Sequence, residues 1–311
     1  MELSNAQVQP AQPRKSVSRS SRPQSPCLIE HPPVLIGVGG MLWRAWDQLL
    51  NHWEIPHRSP SLQELDLTKP ATIEHILDSN PCKLIINCAA YTDVDGAEKN
   101  EPLATAINAT GVGDLARICQ QRGIKLVHYS TDYVFNGHAT QPYHPNDPRQ
   151  PLNAYGRTKA QGEELLAKSG CQYVLLRTSW LYAPWAKNFV RTIARLAKEN
   201  KPLRIVNDQR GRPTSAEHLA ATTLELLERD VTGIYHVTDG GECTWYEFAC
   251  EIARLVNPAC SVTPCTSAEL ARPAARPPYS TLDIQPTEHL LGPMPPWKIA
   301  LADVITRLDP L

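Results

Sequence analysis

No stretch of the 311-residue chain approaches the ~20 consecutive apolar residues that cross a membrane. The first 30 residues lack the apolar segment of a secretory signal. Neither sign of charge dominates: 31 Lys and Arg stand against 32 Asp and Glu, a formal net charge of −1. A global pull toward nucleic acid or an anionic membrane is thereby excluded. A cytoplasmic protein with no nucleic-acid or membrane partner is expected. The nine cysteines form no C-x-x-C pair and no disulfide-like rhythm. No close Cys/His group has zinc-ligand spacing, so no metal is expected. Cys88, inside Leu84-Ile-Ile-Asn-Cys-Ala-Ala90, and Cys250, inside a helical pattern, read as buried reduced thiols. No internal repeat is found.

What is present suffices for one large domain or two modest ones with a real core. Residues 1–30 are rich in Pro, Ser, Gln and Arg and cannot bury enough apolar surface to order themselves. A disordered tail over 1–33, a misassigned upstream start and a regulatory or targeting arm are the open readings. Order begins at Val34-Leu-Ile-Gly37. Short apolar runs follow at 34–38, 84–88, 124–130, 173–178 and 233–237, and read as strands. Helical patterns lie at 42–52, 71–79, 103–122, 157–168, 187–200, 215–229 and 244–256. This alternation predicts an α/β chain: a Rossmann-type, doubly wound parallel sheet with both faces covered. From about 180 the alternation loosens, and prolines become dense over 258–296. The expected division is a dinucleotide-binding domain over 34–180, with 215–237 returning to it. A smaller C-terminal substrate-binding lobe takes most of 181–311.

Gly37-Val-Gly-Gly40-Met41 follows the first strand and opens a helix, as a pyrophosphate-binding turn does. Gly37, Gly40 and Met41 are therefore candidate cofactor contacts. The third position of a G-x-x-G-x-x-G spacing is Trp43, where strain is expected. The second strand should end near His57-Arg58 with no acid to bind a ribose 2′-hydroxyl. Arg58 is free there to pair with a 2′-phosphate, or stands as a solvated surface arginine. Asp66, in Leu65-Asp-Leu67-Thr68, reads either as a helix cap or as a carboxylate facing adenine.

Tyr155-Gly-Arg-Thr-Lys159 puts a phenol and an ammonium on one helix face. The upstream segment His128-Tyr-Ser-Thr131-Asp132 delivers a hydroxyl at a strand end. A free tyrosine ionises near ~10, and a nearby ammonium lowers that value. Lys159 is thus expected to tune Tyr155, which protonates a carbonyl oxygen while Thr131 hydrogen-bonds the same oxygen. His128 reads as a strand-interior residue rather than a base.

Asn87-Cys-Ala-Ala-Tyr-Thr-Asp-Val-Asp-Gly-Ala-Glu98, Asn108-Ala-Thr110, His128 to Gly137 and Pro151 to Lys159 stand in one order along the chain. Leu176 to Tyr182, Val206 to Thr214, Gly233 to His236 and Ala275-Arg-Pro277 continue it. From Val34 onward the chain resembles the extended short-chain dehydrogenase/reductases, within them the dTDP-4-dehydrorhamnose reductase branch. The resemblance implies reduction of the 4-keto group of dTDP-4-dehydro-L-rhamnose to dTDP-L-rhamnose by NADPH or NADH, feeding polysaccharide biosynthesis. It implies Tyr155 as proton donor, Lys159 as cofactor-binding partner and Thr131 as supporting hydroxyl. Asp66, Leu67, Ala89, Ala90, Tyr91 and Tyr129 match cofactor-lining positions. Thr131, Asp132 and Trp180 match substrate contacts. Asn207 is a further sugar-nucleotide candidate, with a polar turn as its rival. Arg276 is a candidate for the diphosphate, with an interdomain salt bridge as its rival. Some members dimerise through magnesium held by glutamates, one early in the first helix. Here that helix reads Arg44-Ala-Trp46, so no metal is carried over, and a monomer or weak homodimer is expected. Two alternatives stay open: a non-catalytic regulatory subunit of the same fold, and a related epimerase. Dehydration is disfavoured because Tyr133, not glutamate, follows Asp132.

Overall fold

Short apolar runs bounded by turn residues become one parallel sheet in the computed structural model. The structure describes residues 31–308, together with Pro23 and Leu28. The expected tail over 1–33 otherwise lies outside the described residues. The sheet strands are β1 (Val34–Ile36), β2 (Leu84–Asn87), β3 (Lys125–Thr131), β4 (Tyr173–Thr178) and β5 (Gly233–His236). They lie in the order β1-β2-β3-β4-β5, every pair parallel. The sheet helices are α1 (Met41–His52), α2 (Pro70–Ser79), α3 (Gly111–Arg122), α4 (Ala154–Lys168) and α5 (Ala216–Glu228).

Every residue of β1, β2 and β3 is buried, because alternate side chains enter opposite cores. Leu35, Ile86, Val127 and Leu176 pack with α1 and α5 through Trp46, Leu50, Leu219 and Leu224. Ile36, Ile85, Leu126 and Leu175 pack with α2, α3 and α4 through Ile73, Leu115, Ile118 and Leu166. The expected second strand is a single parallel bridge, Val34 with Arg58. It is closed by Leu35 N donating to Arg58 O at 2.8 Å and Arg58 N to Pro33 O at 2.9 Å. The chain therefore leaves β1 on one side, returns, and continues on the other. The carboxyl ends of β1 and β2 flank that switch, where α/β sheets take ligands.

The helix expected over 103–122 is broken. A short helix, Glu101–Thr105, passes through a π-helical turn, Ala106–Thr110, before α3 begins. The wider turn presses the Asn108 carbonyl against α4: a Cβ on Gly162 would lie 2.0 Å from it. That contact explains a glycine inside a helix, where it otherwise costs about 1 kcal/mol. The remaining lobe pairs Leu203–Val206 with Val262–Cys265 in parallel. It packs helices Phe189–Lys198, Trp245–Val256 and Trp297–Thr306 around Phe248. Thr244 and Glu247 form a capping box at the second of these. Among the described residues no helix is long and apolar enough to cross a membrane.

One buried ion pair joins α4 to β4. Arg177 Nε and Nη2 donate to the two oxygens of Glu163 at 2.9 and 2.7 Å, and both side chains are almost fully buried. Arg177 also donates to Pro145 O at 2.9 Å and lies over the Phe135 ring. Removing one partner strands the other's charge. Arg177→Met should destabilise by about 3–5 kcal/mol in urea unfolding. Arg177→Met with Glu163→Leu should recover much of that loss. A double variant no more stable than the single one would show that the pair does not act as a unit.

Candidate active site

The carboxyl ends of β1, β2 and β3 bring most of the expected residues together. After β1 the chain turns at Gly37, whose φ is +109°. A Cβ there would sit 2.9 Å from the backbone nitrogen of Ala89, so any side chain would force the β1 and β2 loops apart. Gly39, at φ +85°, meets nothing within 4 Å, leaving open space above the loop. Gly40 N donates to Gly37 O at 3.0 Å, and α1 starts at Met41 with no side-chain cap and no acid in its first turn. The free N–H groups and positive helix end point out of the turn. Met41 keeps its side chain against the core and gives its carbonyl to Trp185 Nε1 at 3.1 Å. The cradle thus fits a pyrophosphate.

The strain expected at Trp43 is absent. α1 runs unbroken from Met41, and the indole turns aside, Nε1 donating to Ser59 Oγ at 3.2 Å. Arg58 is not free for a phosphate: its guanidinium pairs with Glu64. Glu64 folds back because a turn from Ser61 returns the chain, with Ser61 N donating to Glu64 Oε2 at 2.8 Å. The Ser61 hydrogen bonds, then Arg58, hold that carboxyl below its ordinary range. An acid is therefore present beside the expected second strand, contributed from six residues further on. Asp66 serves its own loop, accepting from Thr68 N at 2.9 Å and Thr68 Oγ1 at 2.7 Å, with Lys69 Nζ at 3.2 Å. These contacts, the Thr68 hydroxyl first, lower its pKa. Leu67 buries its side chain in the core, which leaves only its backbone for a ligand.

Ala89, Ala90 and Tyr91 line the β2 loop, half-buried. Two asparagines outside the expected site set their shape. Asn87 Oδ1 accepts from Ala89 N at 3.0 Å. Asn108 grips Tyr91 at both ends: Oδ1 accepts from Tyr91 N at 2.8 Å, and Nδ2 donates to Tyr91 O at 3.0 Å. An asparagine inside a helical pattern was the available signal, since such a residue hydrogen-bonds backbone elsewhere. Tyr129 departs from expectation. Its hydroxyl accepts from Trp46 Nε1 at 2.7 Å and donates to Thr223 Oγ1 at 3.1 Å, inside the α1/α5 core. Strand alternation sends that side chain away, and the Tyr129 carbonyl faces the site instead.

Thr131 ends β3 next to the Tyr155 phenol and opposes the rise of its pKa. It donates to Asp132 Oδ1 at 2.9 Å and accepts from Tyr133 N at 3.1 Å. Tyr155 meets Tyr133 edge-on, with centroids 5.9 Å apart. Its pKa is pushed up to about 12, chiefly by burial, with Asp132 adding and Thr131 opposing. The expected lowering by Lys159 is absent because Lys159 is engaged elsewhere. Its Nζ donates to Tyr129 O at 2.6 Å and lies 3.2 Å from His128 Nε2. Burial pushes Lys159 down to about 8, against the pull of Glu163. Burial pushes Asp132 up to about 6, opposed by Ser280 and Thr131, and its Oδ2 has no partner.

Above Tyr133 opens a cavity of about 490 Å³, lined in part by Val94, Gln209, Trp245, Arg272 and Arg276. Trp180 borders this region, stacked on Trp245 with centroids 3.7 Å apart. Arg276 is held bidentately by Asp95 at 2.7 and 2.9 Å, so the rival salt bridge is formed. Asn207 is spent elsewhere: its Oδ1 accepts from Thr244 Oγ1 at 2.9 Å, and Gln209 takes its place on the cavity wall.

Residues 34–309 match the family model described as the RmlD substrate binding domain. The chain is 38% identical over 256 residues to a dTDP-4-dehydrorhamnose reductase of Burkholderia thailandensis, covering 76% of this chain and 86% of the relative. It is 35% identical over 283 residues to a dTDP-4-keto-6-deoxy-D-glucose reductase of Streptomyces niveus, covering 89% and 97%. Among solved structures it is similar to a dTDP-4-dehydrorhamnose reductase of Bacillus anthracis in complex with NADP. That similarity has TM-score 0.85 and 35% identity, and covers 89% of this chain and 99% of the other.

Asp132 titrates at about 6 when folded, against about 3.9 for a free aspartate. The folded chain binds that proton more tightly, so ionising Asp132 opposes folding, fully so above its folded pKa and not at all below the unfolded one. Asp132→Asn should therefore stabilise by on the order of 2 kcal/mol at about pH 7.5 and by little at about pH 4. Thermal midpoints at both pH values measure it; equal gains would contradict the buried-carboxylate account.

Proposed function

Because the chain belongs to the RmlD substrate-binding-domain family, we propose that it is an NAD(P)H-dependent nucleotide-sugar 4-ketoreductase. The specific reaction is reduction of the 4-keto group of dTDP-4-dehydro-L-rhamnose to dTDP-L-rhamnose, as the relatives' names support. The observation that carries it is the Tyr155 phenol set beside Thr131 and Asp132, with Lys159 buried four residues further along the same helix. When bound, the dinucleotide supplies hydride to the carbonyl carbon. Tyr155 then gives its proton to the carbonyl oxygen, and Thr131 hydrogen-bonds the same oxygen. A phenol held near 12 stays protonated at working pH, which is the state a donor needs.

For the cofactor we assign the amides of Gly37 and Met41, on the turn that Gly40 N closes onto Gly37 O, to the pyrophosphate and Lys159 to the nicotinamide ribose. Asp66, Ala89, Ala90, Tyr91 and the backbones of Leu67 and Tyr129 line the rest. Arg58 would reach a 2′-phosphate only by leaving Glu64. For the substrate we assign Asp132 and Trp180 to the sugar and Arg272 to the diphosphate, which Arg276 would reach only by leaving Asp95. Residues 34–180 with 215–237 form the dinucleotide-binding half, and 181–311 mainly the substrate-binding lobe. The setting is cytoplasmic polysaccharide biosynthesis, by a monomer or weak homodimer. The regulatory-subunit alternative rested on the indole of Trp43 and on the basic N-terminal tail; the indole lies beside Ser59, and the tail falls outside the described residues.

Tyr155→Phe should lower kcat for dTDP-4-dehydro-L-rhamnose by about 10²–10⁴-fold while NADPH binding persists. A wild type no faster than this variant, assayed by NADPH absorbance, would refute the catalytic assignment. Glu64→Gln should strengthen NADPH binding relative to NADH by freeing Arg58, and Arg58→Ala should do the reverse. Unchanged ratios of the dissociation constants would remove Arg58 from the cofactor site.

A further inference from the structure

His128 is 1% exposed in the middle of β3, and the proposed chemistry does not use it. Its surroundings decide which ring nitrogen carries hydrogen. The Ala89 N–H can only donate, and it donates to Asn87 Oδ1 at 3.0 Å. The Asn87 amide is thereby oriented, and its Nδ2 faces His128 Nδ1 at 3.2 Å. An amide nitrogen only donates, so Nδ1 accepts, and the neutral ring carries its hydrogen on Nε2. Burial, with Lys159 adding, keeps the ring neutral by pushing its pKa far below the ordinary histidine value.

The Nε2–H then faces Lys159 Nζ at 3.2 Å. The other neighbour of Nζ is the Tyr129 carbonyl at 2.6 Å, which can only accept. An ammonium in this position sets N–H against N–H. An uncharged amine satisfies both neighbours, giving one hydrogen to the carbonyl and accepting Nε2–H on its lone pair. We infer that Asn87 and His128 form a chain of donors that weakens the hold of Lys159 on its proton and keeps it as an uncharged amine at mildly alkaline pH in the cofactor-free protein. Lys159 then gains a proton from solvent when it turns from His128 to a bound dinucleotide. The second step rests on the proposed cofactor role of Lys159.

Two further titratable groups neighbour Lys159 along its own helix. Glu163, one turn on, favours the charged amine, but Arg177 and Arg149 already hold its carboxylate. Tyr155, one turn back, is an uncharged phenol. From β3 the titratable side chain that faces Nζ is His128. Burial alone also disfavours an ammonium, so a test must move the donor while leaving the site dry. His128 is on this account a positioning residue, acting through Lys159.

The decisive measurement is the titration of Lys159 in the full chain carrying ¹³C-labelled lysine, with Lys159→Met to assign the resonance. The wild-type midpoint should lie about two units below an ordinary lysine. His128→Leu, which removes the donor and keeps the site apolar, should raise the midpoint by about one unit. His128→Gln, whose amide oxygen can accept from an ammonium, should raise it too, and serves if the leucine variant does not fold. A wild-type midpoint at the ordinary lysine value, or one that neither variant moves, overturns the inference. Calorimetry of NADPH binding at about pH 9, in buffers of different ionisation heat, should show uptake of most of one proton by wild type and distinctly less by His128→Gln. Binding without proton uptake overturns the second step. No NADPH binding at all defeats the cofactor role of Lys159 and that step with it, while the ligand-free titration judges the first step alone.

Discussion

The bidentate pair between Arg177 and Glu163 fixes where α4 sits against the sheet, and the site depends on that placement. Tyr155, Lys159 and Glu163 follow one another at four-residue spacing along one face of α4. A shift of the Glu163 anchor would carry the phenol off Thr131 and the amine off the Tyr129 carbonyl. The pair is almost fully buried and held further: Arg149 donates to the carboxylate, and the guanidinium reaches Pro145 O and His236 Nε2. Such a pair adds little net stability over an apolar replacement but penalises every misregistered alternative. Gly162, beside Glu163, lets the same helix close onto the π-helical turn that carries Asn108. One helix is thus tied to β4 by charge and to the β2 loop by contact.

Burial then does the electrostatic work of the site. It raises Tyr155 and Asp132 and lowers Lys159, so each group is driven toward its neutral form. A pocket of this kind carries little net charge until ligands arrive. Its unpartnered Asp132 oxygen is a strain that a stable resting protein would not select, and functional sites commonly retain such groups at the expense of stability. The preference for neutrality matches the proposed chemistry, in which the donor must hold its proton until negative charge develops on the substrate oxygen.

Much of the fold was legible in the sequence because it rests on local pattern. The five apolar runs became the five strands of the sheet within a residue or two of their expected ends, and the long helices followed. What was not legible is what depends on pairing across the chain. Val34 meets Arg58 through one bridge rather than a strand, so no apolar run announced it. Glu64 reaches Arg58 only because the Ser61 turn returns the chain. Tyr129 belongs by motif to the site and by strand alternation to the opposite core. The spacing of Tyr155 and Lys159 was visible, but that the amine would spend itself on His128 and a carbonyl was not. Spacing fixes which face a side chain leaves from, and the partner is fixed by the strand opposite.

Trp43 shows why a motif must be read through the contacts behind it. The glycines of a pyrophosphate turn are required for different reasons, and these reasons separate here. Gly37 is required by the backbone of Ala89, a neighbour that cannot move without opening the sheet. No comparable neighbour stands over position 43, because α1 is already under way and the side chain leaves along its flank toward Ser59. An indole there bonds Ser59, the residue after the Arg58 that pairs with Glu64. The departure at which strain was expected is therefore absorbed by a side chain that turns aside from the glycine turn. The turn itself, with its open Gly39 and uncapped helix, remains free to receive an anion.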